Sequence, residues 1–420
     1  MVKAGAGCPP TIAVMASTIC RSSRKAWKIL GQLALAGAML CVAAARADEQ
    51  PGVVKLGAIL SLSGPVGHLG DVQLKTLQLY VERINAKGGV LTRKLILRHY
   101  DDGGDPRTAA EMAQRFTERD HDKPDHCDFV IGGTTTETSM AIATVLERAG
   151  VPFIALGSGS RIIDPPRRWI FKSPPTERLV LRVLLADMKK RGYLHVGLLA
   201  EDSEFGKELA KELRDLTGRN SLGRRTYGVS LDLDQDYAPN DADIAQKVER
   251  LKGAAGLDAV AVFGLGPSPA VVTSKIRESG IALPIYHANG LATELFIGLA
   301  GKHAEGVRAA GPRIAVADLL PDTDPQKPVI KAYVAAYRER YGQPTDAFGG
   351  YAYDALMLAI EAIERVDTLA FEQVRRSLQL TRHYVGVSGI YEDSPGDRFS
   401  LGPDTLRMLE VRDGAWKLAD

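Results

Sequence analysis

Two periods of hydrophobicity alternate along the chain. Residues 53–60 (VVKLGAIL) form a strand-like run that ends in Ser-Leu-Ser-Gly-Pro. Over 71–87 the apolar positions Leu74, Leu77, Val81 and Ile84 keep helical spacing, and Gly88-Gly89 ends that pattern. Residues 94–100 (KLILRHY) predict a second strand. A helix follows Pro106, then come a strand over 128–132, a helix over 137–149 and a strand over 151–156. Strand and helix in strict alternation are the pattern of a parallel sheet covered on both faces.

The alternation restarts after Trp169. It predicts helices over 177–191 and 204–217, the latter opened by Ser203, with a strand over 195–200 between them. A strand over 224–230, a helix over 241–253 capped by Asn240, a strand over 258–263 and a helix ending at Ser279 follow. Short runs at 283–286 and 306–310 look like further strands. The last hundred residues break the rhythm. Helices over 328–341 and 346–366 carry one apolar face each, the second with Phe348, Tyr351, Ala355, Ala359 and Ile363. Strand-like runs at 389–391, 406–411 and 415–418 end the chain. The fold class is therefore α/β, with two parallel-sheet lobes and no low-complexity linker between them.

Composition changes this picture at one end only. The 420 residues carry 53 Lys plus Arg against 51 Asp plus Glu, which excludes a strongly basic nucleic-acid binder. All six cations of residues 1–47 stand without a single acid, an apolar core fills 33–45, and Ala45-Arg46-Ala47 offers small residues at a cut site. That is the pattern of a secretory signal peptide, cleaved after Ala47. Its removal leaves 47 Lys plus Arg against 51 Asp plus Glu, a mildly acidic exported protein. It also removes Cys8, Cys20 and Cys41, so Cys127 is left with no internal partner.

Motifs of catalysis are missing where they would be expected. Gly264-Leu-Gly266-Pro-Ser-Pro269 has proline in place of the third glycine of a dinucleotide fingerprint, and Gly157-Ser158-Gly159-Ser160 does not fit a nucleophile elbow. The polar cluster from Asp120 to Asp128 contains His121, His126 and Cys127, but its spacing matches no standard zinc pattern, and it reads as a charged loop. Two strand-to-helix turns carry more. Gly133-Thr134-Thr135-Thr136 and Gly157-Ser158-Gly159-Ser160 lie at the carboxyl ends of neighbouring strands, where open α/β sheets bind ligands. Free N–H groups at a helix start, with hydroxyls beside them, suit a carboxylate.

An ordered set of motifs adds to this reading. The run from Lys55 to Pro65, then Gly70, 84–89 (INAKGG), 100–106 (YDDGGDP), Ile131-Gly132, Asp202-Ser-Glu-Phe-Gly206, Ala304-Glu-Gly-Val307 and Tyr351-Ala-Tyr-Asp-Ala355 resembles the solute-binding proteins of branched-chain amino acid ABC transporters. The resemblance implies a type I periplasmic binding protein with two α/β lobes, a three-crossing hinge and a ligand cleft. It implies no catalysis, no cofactor and no metal, a small-molecule ligand, and permease and ATPase subunits as partners in the periplasm. A ligand-sensing subunit on the same fold is the alternative. The lobes would be 48–173 plus 312–386 and 174–311 plus 387–420. The family's ligand contacts fall on Thr135, Thr136, Gly157, Ser158, Gly159 and Ser160 in the first lobe, and on Phe205, Leu265 and Asn289 in the second. Leu69 stands where the family has tyrosine, and Asn289 where it has an acid. These departures imply a more apolar cleft without a charge partner for an ammonium group, suited to a hydrophobic or aromatic carboxylate.

Overall fold

The computed structural model describes residues 52–419 except 241, 395 and 396. The expected signal peptide and its three cysteines lie outside the described residues.

The first half of the chain builds one sheet. Strands β1 (Val53–Leu60), β2 (Lys94–Asp101), β3 (Phe129–Gly132), β4 (Phe153–Ala155) and β5 (Ile170–Lys172) pair in the order β2-β1-β3-β4-β5, all parallel. Helices α1 (Gly67–Ala86), α2 (Pro106–Arg115) and α3 (Thr136–Ala149) connect them. β3 is buried at every residue and β1 at most, as expected of strands covered on both faces.

The second sheet has seven strands. Helix α4 (Glu177–Arg191) leads to β6 (His195–Glu201), α5 (Glu204–Thr217) to β7 (Ser230–Tyr237), α6 (Ile244–Gly253) to β8 (Ala259–Phe263), and α7 (Ser268–Glu278) to β9 (Ile285–His287). Helix α8 (Glu294–Ala300) precedes β10 (Arg308–Pro312). The chain then leaves this sheet for α9 (Gln326–Tyr341), α10 (Ala347–Val366) and α11 (Phe371–Leu378). Fourteen of the 20 residues of α10 are buried, so it is a core helix, and it packs on α1 of the first sheet.

Strands β11 (Tyr384–Val385), β12 (Ile390–Ser394) and β13 (Asp397–Leu401) form a separate small sheet, and β14 (Leu406–Arg412) with β15 (Ala415–Leu418) completes the large one as an antiparallel edge. The large sheet runs β15-β14-β10-β9-β8-β6-β7. Residues 384–401 lie against β5, and the chain rejoins the seven-stranded sheet only at Leu406. Strand patterns do not reveal which sheet a strand joins, and the sequence carries no other sign of this detour.

Two local expectations are also corrected. The strand expected over 224–230 is Ser230–Tyr237 (SLDLDQDY), the outer edge of the large sheet. Its alternating Asp232, Asp234 and Asp236 point outward, where His195 and Arg214 meet the first two at 2.6 and 2.5 Å. The following helix starts at Ile244 with Asp243 at its cap position, not at Asn240, and no side chain caps it. Cys127 is buried against Phe116 and the backbone of Gly57, and burial drives its thiol pKa well above the usual range, as suits an inert core thiol.

Candidate functional site

The carboxyl end of β3 turns sharply into α3. Gly133 has φ +70°, and a Cβ there would lie 2.3 Å from Ser139 Oγ, so only glycine fits this turn. Ser139 Oγ donates to the Gly133 carbonyl at 2.6 Å and accepts from Gly157 N at 3.1 Å. One hydroxyl thus staples the two glycine-bearing turns together.

The three threonines divide the work. Thr134 Oγ1 accepts from Ser61 N at 3.0 Å and donates to Gln73 Oε1 at 2.7 Å, so it is fully used inside the protein. Thr135 is the N-cap of α3, in a reciprocal box with Thr138. Thr136 Oγ1 accepts from Gly159 N at 3.2 Å, which leaves its hydroxyl proton to donate elsewhere. Thr136 is the first residue of α3, where backbone N–H groups have no intrahelical acceptor.

A small enclosed cavity of about 10 Å³ opens in front of this turn, room for roughly one water molecule. Thr134, Thr135, Thr136, Leu156 and Ser158 line it from the first sheet's turns, Phe205, Leu265, Asn289 and Gly290 from those of the second, and Phe348 and Tyr351 from α10. Phe348 and Tyr351 stand edge to face at 6.0 Å. Asn289 Nδ2 donates to Tyr351 Oη at 3.1 Å, while its buried Oδ1 has no protein partner. Among the described residues that line the cavity, none is Asp, Glu, Lys or Arg. A broader groove of about 800 Å³ runs between α4 and β14, but it lies on the second lobe's face and gathers none of the residues singled out in the sequence.

Six of the ten residues expected at the site line this cavity: Thr135, Thr136, Ser158, Phe205, Leu265 and Asn289. Four do not. Leu69 packs in the hydrophobic core, because α1 begins at Gly67 and its first turn already faces inward. Gly157 and Gly159 support the wall by donating their N–H groups to Ser139 and Thr136. Ser160 N donates to Glu177 Oε2 at 2.9 Å, away from the cavity. Sequence reasoning passed over Leu156, Gly290, Phe348 and Tyr351 as lining residues, and it placed Thr134 at the turn without naming it as a ligand contact. Phe348 and Tyr351 carried a signal, two aromatics one turn apart directly after a capping Asp346, but they were read as an ordinary core face.

Behind the wall lies a buried carboxylate pair. A Cβ on Gly159 would meet Thr136 Cγ2 at 2.4 Å and Glu208 Oε2 at 2.9 Å, so Glu208 of α5 is packed directly against this turn. Burial pushes Glu177 up to about 8, outweighing the pull of Lys172, and Glu208 up to about 7. Unfolded carboxyls titrate near ~4.3, so the folded state holds more protons between that pH and about 8. The stability these groups contribute is fully present below ~4.3, falls steadily as pH rises above it, and is gone above about 8. The melting temperature should fall between pH 6 and pH 9, and Glu208→Gln should flatten the fall. A melting temperature that rises over this range would contradict it.

Comparison with known proteins agrees with this geometry. Residues 53–415 match the periplasmic binding protein family, and the chain belongs to that family. A Leu/Ile/Val-binding protein homolog of Brucella abortus is 25% identical over 360 residues, covering 81% of this chain and 84% of that protein. An extracellular ligand-binding receptor from Rhodopseudomonas palustris HaA2 superposes with a TM-score of 0.78 at 24% identity, covering 87% of this chain and 99% of that one. The branched-chain amino acid transporter substrate-binding protein of Streptococcus pneumoniae, solved with isoleucine, gives 0.74 at 20% identity, with 87% and 98% covered. The two-lobed type I fold expected from the motifs is thus the observed one.

Proposed function

We propose that the protein is the periplasmic solute-binding component of an ABC importer and that its solute is a small carboxylate with an apolar, branched or aromatic body. One observation carries this reading: a cavity bounded by both lobes joins a helix N-terminus and the Thr136 hydroxyl on one side to Phe205, Leu265 and Phe348 on the other, with no charged side chain in its lining. A carboxylate accepts from the helix start, and the aromatic wall takes the apolar body. A zwitterion would bury its ammonium without a carboxylate partner, which is costly. The unpaired Asn289 Oδ1 supports a second reading, a branched-chain amino acid whose ammonium donates to that atom.

The cavity is far smaller than the ~300 Å³ that small-molecule sites usually need, so the solute enters only when the lobes part. We place the lobe boundaries at the three passages of the chain between its sheets, at 173–176, after Pro312, and at 402–405. Closure on the solute then follows from its better contacts with the closed form. The reading also places the chain in the periplasm, after loss of residues 1–47, with permease and ATPase subunits as partners. A thermal-shift screen of branched-chain amino acids, aromatic acids and their amides tests it. An aromatic or branched carboxylate should raise the melting temperature and its amide should not. A shift with amides alone would overturn the carboxylate assignment.

A further inference from the structure

At the opposite end of the first sheet, the loop that the sequence presents as charged and solvated keeps Asp120, Asp122, Lys123 and Pro124 exposed but turns its end inward. His126 and Asp128 are 6% and 3% exposed, and His121 is half-buried beside them. One ligand-type atom from each of the three lies within 4.8 Å of the others. His126 Nε2 is 3.3 Å from Asp128 Oδ1, close to the edge of a tetrahedron drawn by metal bonds of about 2.0–2.1 Å. The His121 and His126 rings are 4.9 Å apart, and His121 Nε2 is buried with no hydrogen-bond partner.

The surroundings orient these groups as ligands. His126 Nδ1 lies 3.0 Å from the Glu118 carbonyl. A carbonyl can only accept, so Nδ1 carries a proton, and Nε2 is the ring atom left to face a cation. Nε2 faces the Asp128 oxygen, and a shared cation can stand between them in place of an Nε2 proton. Asp128 Oδ2 accepts from Lys55 N at 2.7 Å, which anchors the carboxylate to β1. Cys127, a ligand type suggested by the sequence, points into the core against Phe116 and takes no part.

We propose that His121 Nε2, His126 Nε2 and one Asp128 oxygen bind a divalent transition ion of the zinc type, with water completing the coordination. Two imidazoles and one carboxylate are a borderline-soft donor set that suits zinc better than calcium or magnesium. The site joins the 120–128 loop to the amino ends of β1 and β3, whereas the solute cavity lies at the carboxyl ends, so the ion acts as a structural strap. Solute binding should not depend on it.

The test is calorimetric titration of zinc into the purified, untagged, chelator-treated protein. The wild type should bind one ion per chain, and His121→Gln should weaken that binding at least tenfold. His121 is part-exposed, so this variant should fold, as circular dichroism would verify. Asp128→Asn, which keeps an acceptor for Lys55 N, should weaken binding in the same way. Zinc should raise the wild-type melting temperature and leave that of His121→Gln unchanged. Cobalt bound to the wild type should show the visible absorption of a tetrahedral site. Equal zinc affinity in wild type and His121→Gln, or no stoichiometric binding at all, would overturn the proposal and leave an imidazolium–carboxylate pair between His126 and Asp128.

Discussion

Arg308→Met should cost about 3 kcal/mol of folding stability, the lower end of the range for breaking a buried ion pair. Arg308 and Asp187 are 4% and 5% exposed. The guanidinium meets both carboxylate oxygens, Nε to Oδ2 at 3.0 Å and Nη2 to Oδ1 at 3.1 Å, and its Nη1 reaches Glu410 at 2.8 Å. It thereby ties α4 to β10 and β14 in the second lobe. Methionine fills much of the volume but leaves Asp187 a buried charge, held by Tyr286 Oη at 2.7 Å and by the more exposed Arg191. Those two partners keep the loss near the lower end. The double variant Arg308→Met with Asp187→Leu should be more stable than Arg308→Met alone, because it removes the orphaned charge. Urea denaturation measures both. A double variant less stable than the single one would show that the pair is held by something other than mutual compensation.

Asp354→Ala should cost about 3–5 kcal/mol, because it strands two buried backbone donors at once and takes one of a phenol's two acceptors. Asp354 on α10 accepts from Val387 N and Ser388 N, each at 2.7 Å. Tyr391 Oη lies 3.0 Å from its second oxygen and 2.9 Å from the carbonyl of Ser173. One phenolic proton faces two acceptors there, and burial pushes the Asp354 carboxyl up to about 6.

The same network continues through Gln326, whose Nε2 donates to the Gly386 and Val387 carbonyls at 3.0 and 3.2 Å and whose Oε1 accepts from Arg313. Asp354 thus links α10 to the 387–388 turn, and Tyr391 and Gln326 extend that link to Ser173 and Arg313. Asp354→Asn keeps an acceptor and should lose less than half as much. Equal losses for Ala and Asn, compared by urea denaturation, would show that the hydrogen bonds carry little of the effect.

Much of the fold was legible because its strands are buried on both faces and its helices are capped by local chemistry. β1 and α4 match their expected bounds to the residue, and Ser203 caps α5 as its sequence suggests. What failed depends on tertiary context. β7 hid behind alternating aspartates, because an edge strand meets water and ion partners on one side. That the 384–401 strands form a small sheet of their own is not visible in the sequence, because pairing partners leave no mark on a strand's own residues. At the site, Thr136 and Asn289 were legible as residues at strand ends. Leu69 was misplaced by a helix that starts four residues earlier than its apolar period shows. Phe348 and Tyr351 arrive at the cavity from a helix far along the chain from the turns they face, Tyr351 lying 62 residues beyond the Asn289 it bonds, a meeting that only the fold reveals.

The central claim is that the cavity bounded by Thr136, Asn289 and Phe348 is where the solute binds. Calorimetric titration of the ligand found in the screen, into wild type and into Gly290→Leu, tests it most directly. A Cβ on Gly290 already lies 2.7 Å from Leu265 and 3.6 Å from Phe348, so a leucine there fills the space between the walls. The account predicts one site per wild-type chain and at least a hundredfold loss of affinity in a Gly290→Leu variant that keeps its circular dichroism spectrum. Unchanged affinity in that folded variant would place the binding site elsewhere and contradict the account.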